Sequence, residues 1–334
     1  MIKKATWIVI ACLLFVTFSV GSVLAASYYE GKVITIISGH KAGGGYDRMA
    51  RLLAKNLPKF IPGKPTIIVQ NMPGAASIIA GNHLFNAAKP DGLTIGSLDR
   101  GVLNAQMTKE EGVKFDLKKF AWVGSPAAEP RVFLVRADLP YKNFDDLLKA
   151  KEIHLGDIGL NNYIRVIPLI LRDFAGLKAN MVSYPAGTRD IVLALERKEL
   201  DGSYLTYSSH KPYIERGLVR PLFRGRVFVE EIKSLPVDED LMKDPKVKAM
   251  FRIFSAIDQL GRPYVAPPGT PADLLKILQE AFKKACADPQ VKAEAEKVKM
   301  ELDYVTAADC METINFVLTQ PEDIIKDFVK YSKM

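Results

Sequence analysis

The alternation of short apolar runs with helical patterns restricts the fold of this chain more than any other feature. The run VITIISG at residues 33–39 is uninterrupted, as in a strand buried on both faces of a parallel sheet. The segment that follows repeats apolar residues at helical spacing, from Met49 to Leu57. TIIVQN, a second helical pattern and LTIGSLD continue the series. The sequence therefore predicts an α/β fold built on open, doubly wound sheets.

A second series of strand and helix patterns follows, and the C-terminal region from residue 271 is mostly helical. A length of 334 residues is typical of about two domains. We predict a discontinuous lobe 1 formed by residues 27–127 and 258–334. An inserted lobe 2 is expected at residues 128–257, with a ligand cleft between the lobes.

The N-terminus predicts export. Two lysines precede an apolar stretch at residues 7–20, and the small-residue sequence VLAA follows at residues 23–26. This order is typical of a cleaved secretory signal peptide, which we assign to residues 1–26, with cleavage after Ala25 or Ala26. The alternative is a membrane anchor, but the apolar stretch is marginal for spanning a bilayer and the small residues favour cleavage.

The charge pattern argues against nucleic-acid binding. Removing the signal peptide, which has two lysines and no acidic residue, lowers the formal net charge from +8 to +6. The basic residues are scattered among acidic ones and form no arm or stripe, which indicates a mixed, solvated surface.

Two cysteines stay in the mature chain, Cys286 and Cys310. In an oxidising compartment they can form a disulfide, and they can equally be two buried thiols. Their spacing does not choose between these alternatives. With no histidine nearby they are not a metal site, and we expect neither metal nor cofactor.

A glycine-rich loop, HKAGGGYD at residues 40–47, connects the first strand to the first helix. Such a loop presents backbone amides to an anion. It is not a phosphate-binding P-loop because no lysine follows the glycines. It is not a dinucleotide fingerprint either, because Arg48 stands where the third glycine belongs and the next strand ends in Asn71 instead of an acid.

Two polar residues of this loop have open roles. His40 either donates to a bound anion or is an ordinary surface histidine. Asp47 lies in the first helical turn, where we favour capping of the helix over direct contact with the ligand. We find no G-x-S-x-G or H-E-x-x-H motif, and the histidines are isolated in sequence, so no catalytic residue is predicted.

Other turns after strands are also rich in small and polar residues, at 71–77, 159–163, 186–188 and 206–209. In open α/β sheets, ligands bind at the carboxyl ends of the strands, where such turns converge. Two facing lobes of this kind suggest a hinged binding protein.

These motifs resemble those of the Bug-type solute receptors of tripartite tricarboxylate transporters. That family has a P-G-G-G-x-D loop, an A-R-x-x-A helix, a strand ending in N-x-P-G-A-G-G and a P-D-G-x-T turn. Here the corresponding sequences are HKAGGGYDRMARLLAKNL, QNMPGAAS and KPDGLTIG, and VSYPAGTRDIVLALERKELDG and YVAPPGTPADLLKIL match later family patterns in order. The resemblance covers nearly the whole mature chain.

The resemblance implies a monomeric periplasmic receptor of the Venus-flytrap type, similar to type II binding proteins. It would close over a small carboxylate, either a di- or tricarboxylate or an aromatic acid, and deliver it to membrane permease subunits. A receptor diverted to signalling through a membrane sensor, and an exported enzyme on the same scaffold, are the alternatives. In the family, first-lobe turns hold a ligand carboxylate largely through backbone amides, and second-lobe turns set specificity.

Carried onto this chain, the resemblance and the turn positions together predict the ligand-binding set. Its first-lobe members are His40, Gly43, Gly44, Gly45, Tyr46, Asp47, Asn71, Pro73, Gly74, Ala75, Ala76 and Ser77. Its second-lobe members are Asn161, Asn162, Tyr163, Ala186, Gly187, Thr188, Tyr204, Tyr207 and Ser208. The sequence departs from the family at Lys41-Ala42, at Ala76 and in the second-lobe segments 159–163 and 204–209. Tyr163, Tyr204 and Tyr207 either stack on an aromatic acid or pack the walls of the cleft.

Overall fold

The computed structural model describes residues 28–159, 163–184, 188–298, 300 and 302–334, apart from the side chain of Ser209. The predicted signal peptide lies outside this part of the chain. The contacts divide the chain into two compact units. Unit 1 comprises residues up to Val102, Gly112–Pro126 and Arg262–Asp309, and unit 2 comprises Leu103–Glu111, Ala127–Gly261 and Cys310–Met334.

Unit 1 is built on a five-stranded mixed sheet with the order β2-β1-β3-β10-β4. Its strands are β1 (Val33–Ser38), β2 (Thr66–Asn71), β3 (Thr94–Ser97), β4 (Ala121–Gly124) and β10 (Tyr264–Ala266). Strands β1, β2 and β3 are parallel, and β10 is antiparallel to β3 and β4. The helices of this unit are α1 (Gly45–Asn56), α2 (Ile78–Asn86), α9 (Ala272–Ala287) and α10 (Pro289–Lys297).

Unit 2 has a sheet of the same kind, with the order β7-β6-β8-β5-β9. Its strands are β5 (Arg131–Arg136), β6 (Ile153–Asp157), β7 (Ala179–Ser183), β8 (Gly202–Thr206) and β9 (Val219–Arg224). Strand β6 is parallel to β7 and β8, whereas β5 is antiparallel to β8 and β9. Its helices are α4 (Phe144–Leu148), α5 (Tyr163–Ala175), α6 (Thr188–Glu196), α7 (Tyr207–Glu215), α8 (Pro245–Leu260) and α12 (Glu322–Ser332). Helices α3 (Val102–Met107) and α11 (Ala307–Leu318) cross the unit boundaries.

The predicted α/β organisation with two open sheets is confirmed, and its cause is the apolar pattern. The helical spacing after the glycine loop places Met49, Leu52 and Leu53 in the core of unit 1. Each such side chain contributes about 1.5–3 kcal/mol by its removal from water. Cys286 lies in the same core, and Cys310 is also a buried thiol. Burial raises the pKa of Cys286 to about 12, which keeps this thiol protonated and unreactive.

The C-terminal helix α12 packs within unit 2. The lobe bounds predicted above, with residues 258–334 in lobe 1, stay a prediction. The ring of Phe328 lies 4.8 Å from that of Phe254 in α8, and Tyr331 donates a hydrogen bond of 2.8 Å to Asp173 at the end of α5. Lys246 adds an ion pair of 2.7 Å with Asp327.

In the part of the chain that the structure describes, no helix combines the length and the apolar character needed to span a bilayer.

Candidate functional site

The first three strands of unit 1 end side by side. Ser38 at the end of β1 pairs with Asn71 of β2 and Ser97 of β3. The next N–H groups continue this alignment: Met72 donates to the carbonyl of Ser38 at 2.8 Å and Gly39 to that of Ser97 at 2.9 Å. The three following loops therefore start from one edge of the sheet, which is where ligands bind in open α/β folds.

Asp47 fixes the shape of the glycine loop. It lies in the first turn of α1, and its carboxylate is almost completely buried. Oδ2 accepts hydrogen bonds from the N–H of Gly43 at 2.8 Å and from Nε of Arg51 at 2.9 Å. Oδ1 accepts from Nδ2 of Asn71 at 2.8 Å. The carboxylate thus holds the loop from inside the protein.

These contacts lower the pKa of Asp47. Burial by itself raises the pKa of a carboxyl group. The hydrogen bonds from Arg51, Gly43 and Asn71 outweigh it and lower the pKa of Asp47 to about 2. Asn71 also donates to the carbonyl of His40 at 2.9 Å. Asp47 and Asn71 therefore position the backbone of the loop.

The glycines leave two backbone donors unbonded. Gly43 has φ +84°, a conformation that favours glycine, and Gly44 is the N-cap of α1 with no side chain to cap the helix. Among the described residues, the N–H groups of Gly44 and Gly45 have no hydrogen-bond partner. Two unbonded amides at a helix N-terminus, which carries a partial positive charge, form a site suited to an anion.

The second loop has an unusual backbone. Gly74 has φ +145°, and Ala75, Ala76 and Ser77 have φ +44°, +46° and +72°. Three consecutive non-glycine residues in the left-handed region cost roughly 1–2 kcal/mol each. Such strain persists only where surrounding contacts impose it, and it is typical of functional sites. Helix α2 begins directly after this turn.

Ser77 connects all three loops. Its buried hydroxyl donates to the carbonyl of Gly39 at 3.2 Å and accepts from the N–H of Asp99 at 3.0 Å. A Cβ at position 39 would lie 2.2 Å from Ser77 Oγ, so only glycine permits this approach. The left-handed turn is thus held in place by the first and third loops, and Gly39 and Asp99 belong to the site although neither was predicted.

His40 and Tyr46 form a stacked pair beside the glycines, with ring centroids 4.0 Å apart. Nε2 of His40 lies 3.0 Å from Oδ2 of Asp99, and the Tyr46 hydroxyl accepts from the N–H of Arg100 at 3.3 Å. Burial by itself raises the pKa of Asp99. Hydrogen bonds from His40 and the N–H of Gly101 outweigh burial, so the pKa of Asp99 is lowered overall. Nδ1 of His40 is buried and has no hydrogen-bond partner among the described residues.

The corresponding edge of unit 2 is lined by side chains. The hydroxyl of Tyr163, at the start of α5, lies 3.2 Å from Oγ1 of Thr206. Thr188 and Ser208 are half-buried, whereas Tyr204 and Tyr207 are buried. Tyr204 packs in the core and donates a hydrogen bond of 2.5 Å to Asp238. The predicted residues Asn161, Asn162, Ala186 and Gly187 lie outside the described part of the chain.

Sequence reasoning also missed Arg131, the first residue of β5. Its side chain is 1% exposed and forms an ion pair with Asp258. The signal was present, because a charged residue opens the otherwise apolar run RVFLV. Within the described residues, no group of three or more histidine, cysteine or acidic side chains is arranged to hold a metal ion.

Comparison with known proteins identifies the family. The model of the tripartite tricarboxylate transporter family receptor matches residues 49–329. The chain belongs to this family. As a family member it is a periplasmic solute-binding receptor, and its curated relatives are of similar length. The receptor is 27% identical over 278 residues to a UPF0065 protein of Bordetella pertussis, with 79% of each chain covered.

Solved structures of binding proteins share the fold of the receptor. A TctC solute-binding protein from Polaromonas gives a TM-score of 0.72 at 18% identity, covering 90% of this chain and 99% of that one. Rhodopseudomonas palustris MatC with bound malate gives 0.60 at 17% identity and covers 88% and 99%. R. palustris Rpa4515 with adipate gives 0.62 at 18% identity and covers 89% and 97%. These similarities confirm the two-lobed periplasmic binding protein fold.

Proposed function

We propose that the receptor binds a small organic carboxylate and delivers it to the membrane permease subunits of a tripartite tricarboxylate-type transporter. It acts as an exported monomer after removal of residues 1–26. The observation that carries this proposal is that side chains hold the glycine loop in place while two of its backbone amides stay unbonded. Asp47 and Asn71 are both occupied in holding the loop, while the amides of Gly44 and Gly45 are left unbonded.

The ligand class follows from these donors and from the solved relatives. Backbone amides at a helix N-terminus favour an anion of modest size, and malate and adipate are the acids named for two solved structures of this fold. We therefore place a di- or tricarboxylate, or an aromatic acid, on the loops after β1, β2 and β3. In unit 2, Tyr163, Thr188 and Ser208 are the described residues that we propose as specificity contacts.

The first experiment is mass spectrometry of the small molecules that co-purify with the receptor. Protein is then freed of ligand by unfolding, dialysis and refolding, and its melting temperature is measured with a panel of aliphatic and aromatic mono-, di- and tricarboxylates. At least one acid is expected to raise the melting temperature, because a ligand that binds only the folded state stabilises it. A refolded protein that responds to none of them would exclude carboxylate binding.

The transport role requires a separate test. Ligand-loaded receptor used as bait on membranes is expected to retain permease subunits and to release them when the ligand is removed. Retention of a membrane sensor in their place would favour the signalling alternative. Turnover of the bound acid would instead identify an exported enzyme.

A further inference from the structure

The sheet edge of unit 2 carries a buried arginine beside the residues proposed to contact the ligand. Arg131 opens β5 and pairs in register with Thr206, the last residue of β8. Because β5 runs antiparallel to β8, and β8 is parallel to β6, the start of β5 lies at the edge where β6 and β8 end. The same edge leads into Tyr163 and Ser208, and the N–H of Tyr207 donates to the carbonyl of Pro130 at 2.8 Å.

The surroundings of Arg131 are both ionic and aromatic. Nε donates to Oδ2 of Asp258, which is itself 2% exposed. The guanidinium carbon lies 4.6 Å from the ring centroid of Tyr163 and 5.4 Å from those of Tyr204 and Phe254. Rings at these distances attract a cation and keep water away from it, which strengthens any hydrogen bond the guanidinium makes.

One donor of this buried group has no acceptor. Nη2 of Arg131 is inaccessible to solvent and has no hydrogen-bond partner among the described residues. Arg220 in the neighbouring strand β9 shows how a structural arginine is satisfied in the same sheet. Its Nη1 donates to the carbonyls of Leu139 and Tyr141 at 3.1 and 2.8 Å, and its Nη2 to that of Ala137 at 2.8 Å.

Of the two acidic side chains near Arg131, only Asp258 is in direct contact with it, so a further anion can still be bound there. Asp258 compensates the charge of Arg131 directly. Asp238 lies one hydrogen bond further away, through the hydroxyl of Tyr204. Burial raises the pKa of Asp238 to about 7, so this carboxyl is partly neutral near physiological pH. A buried polar donor without an acceptor is costly, and an acceptor supplied by a ligand removes this cost on binding.

We propose that Nη2 of Arg131 donates to a second carboxylate of the ligand, and that Arg131 thereby determines specificity for acids with two anionic groups. This inference rests on the proposed receptor function and names the residue that selects among its ligands. The planar guanidinium fork, held by Asp258 on one side, is suited to recognise a carboxylate on the other.

The test compares acids that differ by a single carboxylate. Adipate is paired with hexanoate, malate with 3-hydroxybutyrate, and terephthalate with 4-methylbenzoate. Dissociation constants are measured by calorimetry on ligand-free receptor and on Arg131→Gln. The wild type is expected to bind the diacid of at least one pair 10- to 100-fold more tightly than its monoacid, in line with a charge-assisted hydrogen bond. In Arg131→Gln this ratio should fall to within about threefold of 1, with the monoacid affinity unchanged.

Three further variants separate recognition from stability. Arg131→Lys keeps the charge but loses the planar fork, so its preference for the diacid over the monoacid should be at least threefold smaller than that of the wild type. This variant keeps the test possible if Arg131→Gln does not fold. Asp258→Asn removes the carboxylate that holds the fork but keeps the guanidinium, so it should lower the preference for the diacid less than Arg131→Gln does. Arg220→Gln, at a half-buried structural arginine of the same sheet, should lower the melting temperature and leave the ratio unchanged.

The outcomes distinguish the role of Arg131 from the receptor function. A ratio that survives in folded Arg131→Gln, or in Arg131→Lys, overturns the role of Arg131. Equal binding of the diacid and monoacid by the wild type does the same and leaves the receptor function intact. If no acid binds the wild type, the proposed function itself fails.

Discussion

The two sheet edges of this receptor are built from different chemistry. In unit 1, the polar side chains of Asp47, Asn71 and Ser77 point back into the loops and leave backbone amides for the ligand. In unit 2, the edge carries charged side chains that are themselves buried, Arg131 and Asp258. Backbone amides recognise any carboxylate, whereas a buried guanidinium recognises a particular arrangement of charges. We therefore propose that the first edge supplies general affinity and the second supplies selectivity.

Two buried aspartates show the same contrast. The pKa of Asp47 in unit 1 is lowered to about 2 because hydrogen bonds to the ionised form outweigh burial. The pKa of Asp238 in unit 2 is raised to about 7 because burial outweighs its hydrogen bonds. One carboxylate is built into the fold as an anion, and the other favours its neutral form. Substitutions in the two units test this difference, beginning with the largest expected effect.

Gly44→Asp should abolish carboxylate binding, with a loss of at least about 100-fold in affinity. Gly44 is the N-cap of α1 with φ −71°, and a Cβ there would lie 3.6 Å from the carbonyl of Lys41, so the substitution fits without strain. Aspartate is a favoured N-cap residue, and its own carboxylate would occupy the amides that the ligand needs. Calorimetry should show no binding, and the melting temperature should be unchanged or higher.

Ala272→Asp is the matched control for this variant. It adds the same charge to the first turn of α9, which follows β10 at the opposite edge of the same sheet. Carboxylate affinity should be unchanged. Equal loss of binding in both variants would mean that net charge, and not the glycine loop, controls affinity.

Asp47→Asn should lower the free energy of unfolding by about 2 kcal/mol at pH 7, which corresponds to the shift of its pKa from 3.8 to about 2. Because the folded pKa is below the unfolded value, this contribution is complete above about pH 4 and is lost as the pH falls through 2. Urea unfolding of both proteins at several pH values measures the difference. A difference that stays constant down to pH 2 would contradict the ionic role of Asp47.

Asp238→Asn should show the opposite trend. Its raised folded pKa means that the protonated form stabilises the protein fully below pH 3.8 and that this stabilisation is lost as the pH rises through 7. The variant should therefore gain stability relative to the wild type between pH 4 and pH 8, as judged by melting temperature. If the variant loses stability relative to the wild type over this range, the direction of the shift is wrong.

Ala76→Gly should give the smallest effect, a stabilisation of up to about 1 kcal/mol. Ala76 has φ +46° and ψ +47°, which glycine adopts without steric cost, although glycine also gains entropy in the unfolded chain. Chemical unfolding measures the change, with Ala88→Gly as the control at a position without positive φ. Destabilisation of the Ala76 variant by as much as the control would show that the second loop is not strained.

The fold was accessible from the sequence because periodicity reports burial directly. The run VITIIS reads as a buried strand and forms β1, and the largely apolar run RVFLVR forms β5. The helix-capping role favoured for Asp47 differs from the observed one, because no side chain caps this helix. Its carboxylate accepts the N–H of Gly43, one residue before the helix N-cap, so it fixes the loop instead of the first helical turn.

The rest of the site depends on contacts between distant segments, which local patterns do not encode. The left-handed turn at Ala75–Ser77 is held by Gly39 and Asp99, which come from two other loops. Arg131 and Asp258 are separated by 127 residues, and the fold brings Asp258, near the end of α8, beside the start of β5. A charged residue at the head of an apolar strand is the one signal that points to such a pair.

We propose that the amides of Gly44 and Gly45 bind the ligand carboxylate, and NMR observes each of these amides. Receptor labelled with [15N]glycine and freed of ligand reports these amides individually by NMR, with assignments from Gly44→Ala and Gly45→Ala. On titration with the acid that gives the largest rise in melting temperature, the signals of Gly44 and Gly45 should shift in a saturable way, while that of Gly217 in unit 2 should stay in place. Full thermal stabilisation with no movement of either loop signal would show that these amides do not bind the ligand.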